Sequence, residues 1–268
     1  MPNLALPMAL LTSEQHKQWA RDGFIIIQIC SRDEALALKK EMCDRLASVG
    51  DAVDAVGGGT PATTGISVWF PRDVPSFFEK VLIRGVLPRA ISELCGGAPI
   101  DFLSTKPVYK SGVVTYASPW HQDYEYWGGT PKISGWIAVD NSVVGNGCLK
   151  VIPASHHFGE LPHNGDTSDG LGFVNRINPA SLEPLLASRC DADGGPSTLA
   201  DAVFDCEITA GSAIIFSDLL LHASNPNMNG ADRYSMIPTY RRADVEDAST
   251  TWETSVPTIA SGSATTVK

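Results

Sequence analysis

Helical and extended patterns alternate along the first hundred residues. Apolar residues spaced three and four apart, with capping residues before them, predict helices over residues 12–22, 33–48 and 76–94. A short β-branched run over residues 24–29 predicts a strand between the first two helices. We therefore expect a mostly helical N-terminal layer over residues 1–97.

The pattern changes at about residue 98, where short apolar runs follow one another with Gly, Pro and Asn between them. The runs lie at residues 133–139, 148–152, 204–208, 212–216, 219–223 and 234–240. Asn146-Gly147 between two of these runs predicts a tight hairpin. Short strands at this spacing predict a β barrel or sandwich over residues 98–243. We expect one domain that is mainly β with flanking α-helices, and a fraying tail over 244–268.

Residues 50–65 are rich in glycine and show no periodicity. Long irregular loops in compact domains often cover a binding site, and a plain surface excursion is the alternative. If the loop is a lid, we expect Trp69 and Phe70 behind it to help cover the site.

Composition narrows the functional classes. The 268 residues carry a net charge of −10, which argues against a nucleic-acid surface because such surfaces need clustered Lys and Arg. No apolar stretch approaches the ~18 residues of a membrane span, and no signal peptide is evident. We expect a cytoplasmic protein with its six cysteines reduced, acting on a small molecule, without nucleic-acid or membrane partners. A homodimer is left open.

Three residues form a candidate metal site. In an extended segment alternate side chains share a face, so His121 and Asp123 should point the same way. His222 ends the apolar run before it, at the end of a predicted core strand. Two imidazoles and one carboxylate form the facial triad of non-haem Fe(II) oxygenases. His-x-Asp alone is also compatible with a structural role.

Arg233 strengthens the metal hypothesis. It follows His222 by eleven residues, across a turn rich in Asn, Pro and Gly, which predicts that it lies on the strand beside the one that holds His222. A guanidinium there could bind a carboxylate through two parallel hydrogen bonds, as a dicarboxylate that chelates iron would require. A surface salt bridge is the alternative for Arg233.

The order and spacing of four motifs resemble the phytanoyl-CoA dioxygenase family over residues 100–242. The motifs are Trp120-His121-Gln122-Asp123, Gly135-Trp136-Ile137-Ala138-Val139-Asp140, the run from Asn146 to His156, and Gly211-Ser212 with His222-Ala223-Ser224 and Arg233. The resemblance implies a double-stranded β-helix, which is a jelly-roll, cupin-like core. It also implies an enzyme that uses Fe(II), 2-oxoglutarate and O₂.

The resemblance assigns roles to single residues. The implied iron ligands are His121, Asp123 and His222, and the implied residues of the 2-oxoglutarate site are Arg233, Ser224, Trp136 and Lys106. The sequence departs from the family at Ala154, where glycine is usual. Ser104 replaces a glutamine of the ectoine hydroxylases, which argues against ectoine as the substrate.

The substrate pocket is the least specific part of the sequence. The candidates are Tyr116, Tyr124, Trp127, Trp69 and Arg242. The aromatic residues among them could instead be part of the hydrophobic core. Arg242 and its neighbour Arg241 could either bind an anion of the substrate or form a solvent-exposed pair. The expected reaction hydroxylates an unactivated C–H bond of a small metabolite and releases succinate and CO₂. Desaturation, epoxidation, ring closure and a non-catalytic binding barrel are alternatives, and Asp123 argues against a halogenase.

Overall fold

Two antiparallel sheets carry the fold in the computed structural model, which describes residues 9–49, 68–74, 76–113, 116–164, 176–247 and 255–258. The strands are β1 (Phe24–Gln28), β2 (Ile100–Lys110), β3 (Ile133–Ala138), β4 (Leu149–Val151), β5 (Phe204–Asp205), β6 (Ser212–Ser217), β7 (His222–Ser224), β8 (Arg233–Arg242) and β9 (Val256–Pro257). The large sheet has the order β1-β6-β3-β8-β2-β9, and the small sheet has the order β5-β4-β7.

The helices are α1 (Ser13–Asp22), α2 (Arg32–Val49), α3 (Ser76–Leu82), α4 (Val86–Leu94), α5 (Glu183–Asp193) and α6 (Leu199–Ala202). The first four pack on the outer face of the large sheet, and α5 and α6 pack in a separate cluster with Ala223 of the small sheet. Leu38, Phe78 and Ile91 from α2, α3 and α4 pack with Phe102 and Tyr240 of the large sheet in one buried cluster. The expected β core with flanking helices is confirmed.

A second buried cluster lies between the two sheets. Trp136 and Phe216 of the large sheet meet Leu149 and Val151 of the small sheet there. Alternate residues of each strand therefore point either to the helices or into the space between the sheets. This inner space receives the candidate functional residues.

Residues 76–94 form two helices instead of the single helix that the apolar pattern predicts. Gly85 separates α3 from α4, and a Cβ atom at this position would lie 2.7 Å from the carbonyl oxygens of Lys80 and Val81. The chain therefore turns sharply at a position that only glycine can occupy without displacing backbone. The apolar spacing of the sequence continues across Gly85, so it does not predict that the helix is interrupted there.

The hairpin predicted at Asn146-Gly147 is wrong. β3 belongs to the large sheet and β4 to the small sheet, so this turn carries the chain from one sheet to the other. The predicted strand over 219–223 also differs, because β6 ends at Ser217 and β7 begins only at His222.

The tail contains more structure than its composition indicates. Val256 and Pro257 form β9, which pairs with Phe102 and Asp101 at the edge of the large sheet. The candidate lid at 50–65 lies outside the described residues. Within the described part of the chain, no helix has both the length and the apolar character needed to cross a membrane.

Candidate metal centre

His121, Asp123 and His222 converge at the mouth of the inner space. One possible ligand atom from each residue lies within 4.8 Å of the others. Oδ1 of Asp123 is 4.0 Å from Nε2 of His121 and 3.8 Å from Nε2 of His222. Asp123 and His222 are buried and His121 is half-buried, so protein largely encloses the group.

Backbone pairing places the two histidines together. The amide of each donates to the carbonyl of the other, with N–O distances of 3.0 and 3.1 Å. Gln122 is extended, with φ −116° and ψ 142°, so His121 and Asp123 leave the chain on the same side as predicted. The segment is not a regular strand, however, because Asp123 begins a 3₁₀ turn that runs to Trp127.

Hydrogen bonds fix the orientation of all three side chains. Nδ1 of His121 lies 2.8 Å from the Pro119 carbonyl, and Nδ1 of His222 lies 2.9 Å from the Leu220 carbonyl. Each Nδ1 must therefore carry the proton, which leaves the Nε2 lone pair directed at the cluster. The hydroxyl of Ser134 donates to Oδ2 of Asp123 at 2.8 Å and leaves Oδ1 free for a metal.

The electrostatics suit a divalent cation. Burial lowers the pKa of His121 to about 3, with a further decrease from His222, and burial also lowers the pKa of His222. Burial opposes ionisation of Asp123, but His222, Lys106 and His121 together hold its pKa below the ordinary value. Two neutral imidazoles and one carboxylate are the protonation states that a metal needs. The residues present therefore fit an Fe(II) ion.

Arg233 lies in the inner space, only 2% exposed. Its guanidinium donates to the Ser235 hydroxyl at 2.7 Å and to the Gly147 carbonyl at 2.6 Å, and it lies 5.0 Å from the Trp136 ring. The prediction that Arg233 lies beside the strand of His222 is wrong. β8 is in the large sheet and β7 in the small one, because the intervening turn crosses between the sheets.

Ser224 and Lys106 also face the inner space. Ser224 lies two residues after His222 on β7, so both side chains share a face, and its hydroxyl accepts the Ser118 amide at 2.9 Å. Lys106 is directly opposite Ile237, a residue packed against the inner cluster, and is close enough to lower the pKa of Asp123. The residues assigned to iron and to 2-oxoglutarate thus lie on strands and turns that border the same inner space.

Comparison with known proteins identifies the family. The phytanoyl-CoA dioxygenase (PhyH) family matches residues 19–235, most of the chain. The chain belongs to the phytanoyl-CoA dioxygenase family. This membership confirms the expected class, a 2-oxoglutarate-dependent non-haem iron dioxygenase, and its requirement for Fe(II), 2-oxoglutarate and O₂.

Individual relatives of this phytanoyl-CoA dioxygenase family member are distant. A probable phytanoyl-CoA dioxygenase of Caenorhabditis elegans is 25% identical over 259 residues, covering 88% of this chain and 77% of the relative. An L-proline trans-4-hydroxylase of Streptomyces griseoviridis is 27% identical over 179 residues, covering 62% and 64%. The structure of EctD from S. alaskensis with 2-oxoglutarate and 5-hydroxyectoine superposes with a TM-score of 0.64 at 21% identity, covering 90% of this chain and 82% of that one.

Two of the substrate candidates are wrong for this dioxygenase. Trp69 is 2% exposed and packs edge-on against Phe78, 6.0 Å between ring centroids, in the cluster between the helices and the large sheet. Arg242 is nine positions from Arg233 on β8 and so points to the opposite face. It forms a half-exposed pair with Asp244 at 2.7 Å. Neither faces the inner space.

The remaining substrate candidates, Tyr116, Tyr124 and Trp127, lie close to His121 and Asp123 along the chain. Tyr116 packs beneath the Lys110 ammonium, which is 4.3 Å from its ring centre. The Tyr124 hydroxyl donates to the Gly129 carbonyl at 2.8 Å, within its own turn. The side chain of Trp127 lies outside the described part of the chain. A pocket role for these three stays a prediction.

Sequence reasoning did not select several residues around the metal centre. The ring of Tyr126 stands edge-on to His121 at 6.3 Å between centroids, and Ser134 hydrogen-bonds Asp123. Gln122, between His121 and Asp123, is fully buried. Lys110, which is paired with Arg233 on the neighbouring strand, is also buried. Of these residues, only Tyr126 has a signal in the sequence, because it is an aromatic residue three positions after Asp123.

Proposed function

We propose that His121, Asp123 and His222 hold the Fe(II) ion of this dioxygenase. The observation that supports this most strongly is the convergence of three ligand atoms within 4.8 Å, with both Nε2 lone pairs directed inward. Bound iron would supply the activation of O₂ that oxidises a C–H bond. The surrounding protein keeps the two imidazoles neutral and the carboxylate ionised.

We further propose that Arg233 and Ser224 bind the far carboxylate of 2-oxoglutarate. Arg233 is buried and its hydrogen bonds go to neutral oxygens, so its positive charge is available to an anion. Trp136 packs against the guanidinium and supports its orientation. Lys106 lies on the inner face and adds positive potential near Asp123.

We propose a small metabolite or a natural-product intermediate as the substrate, with hydroxylation as the expected outcome. Similar proteins are named for phytanoyl-CoA, L-proline and ectoine, which are chemically diverse. No basic cluster suited to a CoA tail is evident in the sequence, which supports a smaller substrate.

Succinate release with Fe(II), 2-oxoglutarate and O₂, screened over a metabolite panel, tests this function. We expect stimulation by one substrate class and loss of turnover in His121→Ala, Asp123→Ala and His222→Ala. Iron content should fall in the same variants. The assignment of a residue as a ligand is overturned if its alanine variant keeps normal iron content and near-normal turnover.

Arg233→Ala tests the co-substrate site. The variant removes a charge-assisted hydrogen-bonding group from a buried carboxylate site, so we expect the KM for 2-oxoglutarate to rise about 100-fold. Arg233→Lys should recover only part, because a point charge cannot reproduce two parallel hydrogen bonds. Arg242→Ala, at the far end of the same strand, is the control and should leave the KM unchanged. An unchanged KM in Arg233→Ala would place the anchor elsewhere.

A further inference from the structure

The turn between β6 and β7 passes the metal centre and ends at His222. The carbonyl of Leu219 accepts the side chain of Gln122 at 2.7 Å. The carbonyl of Leu220 lies 2.9 Å from Nδ1 of His222. Asp218 is the first residue of this turn and is only 3% exposed. Burying a carboxyl group is costly unless it is hydrogen-bonded, so the partners of Asp218 indicate what it does.

The side chain of Asp218 continues the pairing of β6 with β3. The backbone ladder between these strands ends at the pair of Ser217 and Ile133, where the chain leaves the sheet. Oδ2 of Asp218 then accepts the backbone amide of Lys132, the next residue along the ladder, at 2.7 Å. The Lys132 ammonium pairs instead with Asp247 at 3.1 Å. A side-chain oxygen thus replaces a backbone carbonyl just before β3.

The backbone carbonyl of Asp218 is directed to the segment that carries the other two ligands. It accepts the amide of Tyr124, the residue directly after Asp123, with an N–O distance of 3.1 Å. Lys132, bound by the Asp218 side chain, is two residues before Ser134. The Ser134 hydroxyl donates to Oδ2 of Asp123 at 2.8 Å. Asp218 therefore holds Asp123 from two directions, through the backbone that follows it and through the strand that carries its hydrogen-bond donor.

We infer that Asp218 is a positioning residue of the metal centre, which fixes the carboxylate of Asp123 relative to the imidazole of His222. The turn that begins at Asp218 ends at His222, so a displacement of Asp218 would move the two ligands relative to each other. Residues that orient metal ligands change metal affinity without contacting the metal themselves. The inference rests on the proposed function, because it takes Asp123 and His222 to be ligands.

Titration with Co(II) in the absence of O₂ measures both the affinity of the site and the arrangement of its ligands, because the visible bands of Co(II) depend on ligand geometry. Asp218→Leu keeps a side chain of similar shape but leaves the amide of Lys132 without an acceptor. We expect the Kd for Co(II) to weaken by about tenfold or more, with a shift of the Co(II) bands. The melting temperature should also fall by a few degrees.

Two conservative variants separate the position of the oxygen from the stability of the fold. Asp218→Asn retains an oxygen that can accept the Lys132 amide, so its Kd and its Co(II) bands should stay close to those of the wild type. Asp218→Glu retains the carboxyl group but moves it by one methylene group. We expect this displacement to weaken the Kd for Co(II) by about threefold or more and to shift the bands.

Asp140→Leu is the matched control. Asp140 also accepts a backbone amide of a large-sheet strand, that of Tyr234 at 3.0 Å, and it pairs with Lys39. The melting temperature should fall at least as much as in Asp218→Leu. The Kd and the bands of Co(II) should stay as in the wild type, because Asp140 follows the end of β3 that is far from Ser134.

The outcomes separate the inference from the function on which it rests. The inference is wrong if folded Asp218→Leu binds Co(II) as tightly as the wild type with unchanged bands, or if Asp218→Asn binds as weakly as Asp218→Leu. If Asp218→Leu does not fold, Asp218→Glu decides, and wild-type affinity and bands in that variant would overturn the inference. A failure of the metal site itself would look different, because His121→Ala would then keep the Co(II) affinity of the wild type.

Discussion

At the scale of single residues, Ala154 shows where this chain carries backbone strain. Its φ is +64°, and among the described residues it is the only one other than glycine in the left-handed region. Its amide donates to the Asp22 carbonyl, and the next hydroxyl, on Ser155, accepts the Leu221 amide at 2.9 Å. The strained residue thus helps to place the segment just before His222.

Ala154→Gly should stabilise the protein. A left-handed conformation costs an L-residue roughly 1–2 kcal/mol, and the extra freedom of glycine in the unfolded chain offsets part of the gain. We expect the free energy of unfolding in urea to increase by about 0.5–1 kcal/mol. Ala20→Gly in α1 is the control. In this variant the free energy of unfolding should decrease by about 1 kcal/mol, because glycine is a poor helix former. A loss of stability in Ala154→Gly would contradict this account.

At the scale of elements, Gln122 joins the segments that carry the metal ligands. Its side chain is fully buried and donates to the carbonyls of Gly159 and Leu219 at 2.8 and 2.7 Å. The side-chain oxygen of Gln122 accepts a hydrogen bond from the backbone amide of Leu161 at 2.8 Å. The backbone amide of Gln122 donates to Nε2 of His163. One carboxamide therefore ties the His-x-Asp segment to the turn that precedes His222.

Gln122→Met should weaken metal binding more than it weakens the fold. The variant keeps the length of the side chain but leaves two carbonyls and one amide without partners, which frees the two ligand segments to shift. Residues that orient metal ligands typically change metal affinity 10–100-fold, and we expect at least a tenfold weaker Kd for Co(II) in an anaerobic titration.

The control for Gln122 is another buried amide. Asn227→Leu removes a side chain that donates to the carbonyls of Lys110, Ser111 and Ala231, away from the metal ligands. It should lower the melting temperature as much as Gln122→Met while the Co(II) affinity stays near that of wild type. Equal Co(II) affinities for the two variants would show that Gln122 only supports the fold.

At the scale of the whole molecule, a buried charge network fastens the C-terminal segment to the barrel. Asp247 accepts from Lys132 and Arg241, with contacts of 3.1 and 2.9 Å. Arg241 also forms a salt bridge with Asp101, the residue of β2 that is paired with Pro257 of β9. Arg241 is thus neither the anion clamp nor the solvated residue that the sequence left open, but part of this connection.

Asp247→Ala should be strongly destabilising. The side chains of Lys132 and Asp247 are 0% and 4% exposed, so the variant leaves a buried ammonium without its carboxylate. Breaking such a pair costs about 3–5 kcal/mol, which a urea unfolding measurement would detect. Asp244→Ala, which breaks the half-exposed pair with Arg242, should cost less than about 1 kcal/mol. Similar losses in both variants would show that the network does not fasten the segment.

The sequence by itself determined the family, the class of reaction and the local geometry of the metal ligands. His121 and Asp123 share a face because one extended residue separates them, and period-two alternation is a local property of the backbone. The helical layer and the β core also followed from local periodicity. The break at Gly85 did not, because apolar spacing continues across it.

Only the tertiary structure decided which strands meet. His222 and Arg233 lie on strands of different sheets, and Asn146-Gly147 crosses between sheets instead of closing a hairpin. Trp69 packs under the helices, and Lys110 comes to lie against Arg233 although more than 120 residues separate them. Turn residues specify that a chain reverses, but the sheet that it joins depends on long-range pairing and on burial of both faces. The buried pair of cations therefore became visible only in the folded chain.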